Sequence, residues 1–146
     1  MTKSDRYRML VVLISIAGLI PVLSSCGDRK INTGHIHDSA VGGLSWTIDD
    51  ETGLTGATGD FPYDDSDGKE KTVSFTLGSI QLGSTTAERD LTIVDLVEGA
   101  SGVKNNSVTN IARLLQTLDD DGDLENGITI TEFVSLQATE DLDFDQ

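Results

Sequence analysis

Asp119-Asp120-Asp121-Gly122-Asp123-Leu124-Glu125-Asn126-Gly127 is the stretch whose residue types and spacing most directly suggest chemistry. Its alternate carboxylates at 119, 121 and 123 can turn toward one point if the backbone curls tightly. A hard cation such as Ca²⁺ takes six to eight oxygen ligands at about 2.3–2.6 Å, and Glu132 lies far enough along to supply a further carboxylate. Asp119, Asp121, Asp123 and Glu132 are therefore the candidate metal ligands, and calcium the candidate cofactor. The plainer reading is a solvated acidic turn that ends a helix. Carboxylates at a helix C-terminus sit against the helix dipole, a penalty that a bound cation would offset. Both readings stay open from the residues alone.

The helix–loop–helix setting of this stretch resembles an EF-hand or a dockerin-like calcium site. The match is incomplete. Counted from Asp119, the sixth position is Leu124 where the EF-hand has glycine, and the twelfth is Ile130 where it has glutamate. Gly122 comes early, Gly127 comes late, and Glu132 falls two places beyond the bidentate position, so the loop needs two extra residues to close on an ion.

A second constellation is His35-Ile36-His37-Asp38, which contains both histidines of the chain. Alternate residues of an extended strand point to one side, so two imidazoles and a carboxylate there suit a transition metal. In a flexible tail such a trio makes a poor site, and a solvated tail is the preferred expectation. Nucleophilic catalysis lacks its parts: the single cysteine, Cys26, is assigned below to lipid, and both histidines fall outside the expected folded part. Paired acids abound, but glycoside hydrolysis also wants aromatic sugar platforms, and aromatic residues are only 5% of the chain. No phosphate loop or dinucleotide fingerprint occurs. The expectation is no enzyme.

Lys3, Arg6 and Arg8 precede a run from Met9 to Leu23 that is apolar except at Ser15, Gly18 and Pro21. Fifteen residues are short for a membrane span, which needs about 20, and the layout is that of a secretory signal peptide. Leu23-Ser24-Ser25-Cys26 resembles the lipobox of bacterial lipoproteins. That resemblance implies cleavage before Cys26, a diacylglycerol on its thiol, and often a further acyl chain such as palmitate on the new amine. Each buried methylene contributes about 0.8 kcal/mol, so several chains hold the protein firmly to a membrane. Gly27 after the cysteine implies the outer membrane more than the inner one, on the sorting rule of enterobacterial lipoproteins. The boundaries expected are a leader over 1–25, a lipidated tether over 26–40, and one β-rich domain with a helical C-terminal segment over 41–146.

The leader holds three of the ten basic side chains and one of the twenty-five acids, leaving 7 and 24 in the mature part, a net of −17. Phosphate recognition needs lysine and arginine, so nucleic acid is excluded as a partner. The partners expected are a membrane, through the lipid on Cys26, and an unidentified protein or polysaccharide.

The elements that must position these groups read as follows. Leu44-Ser45-Trp46-Thr47-Ile48 and Thr72-Val73-Ser74-Phe75-Thr76-Leu77 alternate with period two, and Ile80 to Leu82 and Leu91 to Val94 continue a series of short strands between glycine turns. No helical period is evident before Val94. Val108, Ile111, Ala112, Leu115 and Leu118 then define an amphipathic helix over about 107–118, capped by Asn106 or Ser107. Thr129 and Glu132 have capping-box spacing for a second helix over about 130–138, with Phe133, Val134 and Leu136 as its packing residues. The acidic end from Glu140 to Gln146 is expected to fray. The fold class expected is α+β: a small antiparallel β-sandwich or half-barrel followed by a helix, the acidic loop and a helix.

Three segments extend this reading: Val73 to Gly83, Thr92-Ile93-Val94-Asp95-Leu96-Val97, and Asn110 to Asp123 with Asn126-Gly127-Ile128. Together they resemble a functionally uncharacterised module of exported Gram-negative proteins and lipoproteins. The likeness covers Val41 to Ile130 and implies an architecture, not an activity. The expected function is a lipid-anchored cell-envelope protein carrying a calcium-stabilised interaction or adhesion-type module. The alternative is a passive structural or envelope-maintenance lipoprotein with no ion dependence.

Overall fold

The computed structural model describes residues 30–37 and 39–145. The leader, Cys26 and Asp38 lie outside them. In chain order the elements are β1 (Ile31–Ile36), β2 (Val41–Gly42), β3 (Ser45–Ile48), β4 (Glu51–Leu54), β5 (Asp60–Asp64), β6 (Thr72–Leu77), β7 (Ile80–Thr86), β8 (Asp90–Leu91), α1 (Ile93–Leu96), α2 (Asn106–Thr117), β9 (Ile128–Thr129) and α3 (Glu132–Gln137). The class is α+β with β predominant. The sheets are open and do not form a barrel.

Period-two alternation builds the larger sheet, β4-β3-β6-β7, which is antiparallel throughout. Val73, Phe75 and Leu77 send one face of β6 into the core, while Ser74 and Thr76 take the other. Asp49 turns the β3–β4 hairpin with φ at 51°, a left-handed conformation that a short polar side chain tolerates. Trp46 lies over Gly53, its cross-strand partner, where a Cβ would stand only 2.6 Å from the indole.

β1 corrects the expected tether. Ile31–Ile36 is the central strand of a second sheet, β5-β1-β8, antiparallel to β5 and parallel to β8. Only two of its six residues are large and apolar, so its sequence reads as tail. Its hold comes from its partners instead. Ile36 is buried in the core, and Gly34 faces Phe61 of β5 so closely that a Cβ would meet the ring at 2.3 Å and the Glu88 carbonyl at 2.6 Å. The Phe61 ring packs edge-to-face on Phe75 of the larger sheet, centroids 5.3 Å apart, and joins the two sheets to one core.

Four further expectations are revised. Ile93–Leu96 is a helical turn and not the end of a strand, because Asp95 accepts from both the amide and the hydroxyl of Thr92 at 2.7 and 2.8 Å, a closed cap that outweighs β-branched propensity. α2 is capped one residue earlier than expected: the Asn105 side chain accepts from Ser107 and Val108 amides. Its stripe of Val108, Ile111 and Leu115 packs into the core as read. α3 is capped by Thr131 and not Thr129, and the shift turns Phe133 and Leu136 outward at 72% and 68% exposure, leaving Val134 to pack. The acidic end is docked over 144–145: Asn110 Nδ2 donates to the Phe144 carbonyl at 3.0 Å, the Ser107 hydroxyl donates to Asp145, and Phe144 packs on the core. An acidic group at the start of α2 also favours the helix dipole.

Candidate functional site

α2 ends at Thr117, and the acidic loop leaves it directly. The loop is closed at its base by Asp120 N donating to the Thr129 carbonyl at 3.1 Å and Thr129 N donating to Asp119 Oδ1 at 2.8 Å. Beyond the base, β9 pairs in parallel with β2, with Ile128 N on the Ala40 carbonyl and Ile130 N on the Gly42 carbonyl. The loop is thus anchored on both sides.

Of the four expected ligands, Asp119, Asp121 and Asp123 each accept from a donor of the loop or its base. Asp121 accepts from Asp123 N through Oδ1 and from Asn126 Nδ2 through Oδ2, at 2.9 and 2.8 Å. Asp123 Oδ1 accepts from Glu125 N at 3.1 Å. The Asp123 amide, reinforced by the Asn126 side chain, holds the Asp121 carboxyl below its usual range. These are local side-chain-to-backbone turns, the habit of aspartate in loops. Asp119 differs from its neighbours: its Oδ2 is buried and meets no hydrogen-bond partner among the described residues. Glu132 opens the first turn of α3, exposed, where a carboxylate suits the helix N-terminus. Among the described residues, no three histidine, cysteine, aspartate or glutamate side chains stand together in a way that could hold an ion.

The histidines sit elsewhere than expected. His35 on β1 and His37 just past its end lie side by side, with ring centroids 5.9 Å apart, while Gly34 and Ile36 face the core. His37 Nε2 lies 2.7 Å from Asp90 Oδ1. Asp90 is also the cross-strand partner of His35 on one side, and Asp60 is its partner on the other. The Thr58 hydroxyl, 2.6 Å away, holds the Asp60 carboxyl below its usual range against the effect of burial, with a smaller contribution from His35. No local sequence signal brings Asp90 to His37 across 53 positions; only the sheet register does.

Lys71 pairs with two carboxylates, reaching Asp49 at 2.9 Å and Asp67 at 3.4 Å and tying the β3–β4 turn to the β5–β6 connection. The hydrogen bond to Asp49 raises the Lys71 pKa. None of the helices among the described residues is long and apolar enough to cross a membrane. Comparison with protein-family models, with curated proteins and with solved structures finds no match to this chain.

Proposed function

We propose that this chain is an exported cell-envelope lipoprotein, held by lipid on Cys26 and more suited to the outer than the inner membrane, whose folded part is a non-catalytic interaction module. The basic-then-apolar start and Leu23-Ser24-Ser25-Cys26 support the anchor. β1 begins five residues after Cys26, a reach of at most about 18 Å, so the folded part stays close to the bilayer on this reading. At the level of fold, we read the two larger sheets as leaves of a small sandwich, supported by Phe61 of one packing on Phe75 of the other.

On this reading the acidic loop is the module's contact end, and calcium has to draw Asp119, Asp121 and Asp123 toward one point, with Glu132 as the reserve ligand, because the fold does not already hold three of them around an ion position. The observation that carries this is Asp119 Oδ2: a buried carboxylate oxygen without a donor costs free energy that a cation would recover. A protein or polysaccharide is the partner class.

Thermal melts of the purified protein with Ca²⁺ and with chelator test the ion. A ligand selective for the folded state at 100 times its Kd adds about 2.7 kcal/mol, a rise of several degrees. Asp121→Ala should abolish that rise. The passive reading is favoured by the loop's own donors, which already satisfy Asp121 and Asp123; identical melts would select it. Mass spectrometry of the N-terminal peptide tests the anchor separately: a diacylated Cys26 at the new terminus supports it, and an unmodified thiol refutes it.

A further inference from the structure

We propose that Asn126-Gly127, at the far end of the acidic loop, is a site of spontaneous modification, where the chain's own backbone converts the asparagine to aspartate or isoaspartate and releases the loop from an internal tie. The two residue types fix the chemistry. The Gly127 backbone nitrogen loses its proton and attacks Cγ of the Asn126 side chain. The Cγ–Nδ2 bond breaks, Nδ2 leaves as ammonia, and a five-membered succinimide remains. Water then opens the ring. Cutting its Cγ–N bond gives aspartate, and cutting the bond to the main-chain carbonyl gives isoaspartate. No oxidant, reductant or second protein enters the balance.

The fold leaves this step open. Asn126 is exposed, and both residues lie outside helix and strand. The Gly127 amide donates to no acceptor among the described residues, so no hydrogen bond withholds its proton. Glycine, the least hindered backbone nucleophile, is also what position 127 demands. Its φ is 99°, and a Cβ there would stand 3.0 Å from the Ala40 carbonyl oxygen. The backbone thus needs the residue that makes the asparagine labile.

The other four asparagines are internal controls, since none of them precedes glycine. Asn32 is paired within β1 opposite Tyr63. Asn105 commits its side chain to the Ser107 and Val108 amides, and Asn106 and Asn110 lie inside α2.

The consequence is local. Asn126 Nδ2 donates to Asp121 Oδ2 at 2.8 Å, and conversion replaces that donor with a second carboxylate facing the first. Like charges so close repel. Isoaspartate also adds a backbone methylene just before Ile128, whose amide donates to the Ala40 carbonyl at 2.7 Å. The loop then loses a tie at its centre and its fit to β9. None of this depends on whether the loop takes calcium.

The test is prolonged incubation of the purified, folded protein at mildly alkaline pH, beside the same protein held unfolded in guanidinium, with peptide mapping by tandem mass spectrometry. In the folded sample a gain of about 1 Da is expected on the peptide that contains Asn126 and on no other asparagine peptide. Isoaspartate should accompany aspartate there, with one ammonia released per converted chain. Gly127→Ala should slow the step by about tenfold or more. Asn126→Asp, which mimics the simpler product, should speed hydrogen exchange at the Asp123 amide, now bonded to Asp121. The proposal is overturned if the folded protein keeps Asn126 intact while the unfolded sample converts, or if another asparagine of the folded protein converts as fast. Unchanged exchange in Asn126→Asp overturns the release of the loop. Conversion is read on the unmutated protein, so a variant that fails to fold does not protect the idea.

Discussion

The β1 strand and the acidic loop teach opposite lessons about how chemistry-bearing residues are read. His35 and His37 sit in a stretch with little to bury, yet β1 and the residue after it are paired on both sides, and the strand is linked to the core through Gly34 and Ile36. The loop has the denser set of charges, yet its backbone amides and Asn126 already occupy Asp121 and Asp123. A carboxylate is available to a ligand only to the extent that its own loop leaves it unsatisfied. In the first region neighbouring segments hold a stretch whose own residues bury little; in the second the loop's own donors occupy the groups a ligand would need.

The largest way to break this contrast is to remove what ties β1 to the core. Phe61→Ala should cost about 3–5 kcal/mol, as a buried aromatic truncated between two sheets. Denaturant midpoints check it; a loss below about 1 kcal/mol would mean that the second sheet is not an integral part of the fold. Gly34→Ala acts on the same joint from the other side. Its Cβ would collide with the Phe61 ring and a backbone carbonyl, so about 1–3 kcal/mol is expected, where a tail residue would show none.

Loop substitutions are smaller and carry a sign that discriminates. In Asp119→Asn, the remaining oxygen keeps the Thr129 amide, and the new NH₂ can donate to the Asp121 carboxylate, which lies within hydrogen-bond reach of the Asp119 side chain. Stability in chelator should therefore rise by about 0.5–1.5 kcal/mol. In calcium the same variant should lose the ion-dependent gain if the loop binds it. Two melts of one variant thus separate a site from a self-satisfied turn.

The pH response of the loop is smaller again. Asp121 has a folded pKa below its ordinary value of 3.8. Its contribution is therefore complete above about pH 4 and is lost as pH falls through the lowered folded value. Unfolding curves between pH 5 and pH 2.5 should steepen less in Asp121→Asn than in the parent; superimposable pH profiles would remove Asp121 from the loop's stability. At the small end, Leu136→Gln should change stability by no more than about 0.5 kcal/mol, since α3 leaves that side chain outside. A larger loss in the denaturant midpoint would restore Leu136 to the core.

These comparisons also show what the amino-acid order made legible. Helix α2 was readable because Val108, Ile111 and Leu115 repeat with the helical period and bury on one side. β6 was readable because Val73, Phe75 and Leu77 alternate strictly. β1 was hidden because its stability lies in distant partners: a glycine at 34 has meaning only once Phe61 is known to lie across from it. Ile93 and Val94 argued for strand by propensity, and only the two bonds that Thr92 donates to the Asp95 carboxylate turn them into a helix. The acidic loop was visible at once as a cluster, but which oxygens its own donors occupy is a property of the folded backbone. Asp90 beside His37 is the furthest from view, since a sheet register alone brings the two together.

Amide hydrogen exchange on the unmutated protein tests the contrast most directly. The amides of His35, Ile36 and His37 donate to the carbonyls of Arg89, Gly59 and Leu91, in or immediately before β8 and β5, and they should exchange as slowly as those of β6, near the limit set by global unfolding. Amides in the exposed stretch from Gly122 to Leu124 should exchange orders of magnitude faster. Fast, tail-like exchange at His35 and His37 would contradict the sheet and return this stretch to the expected tether.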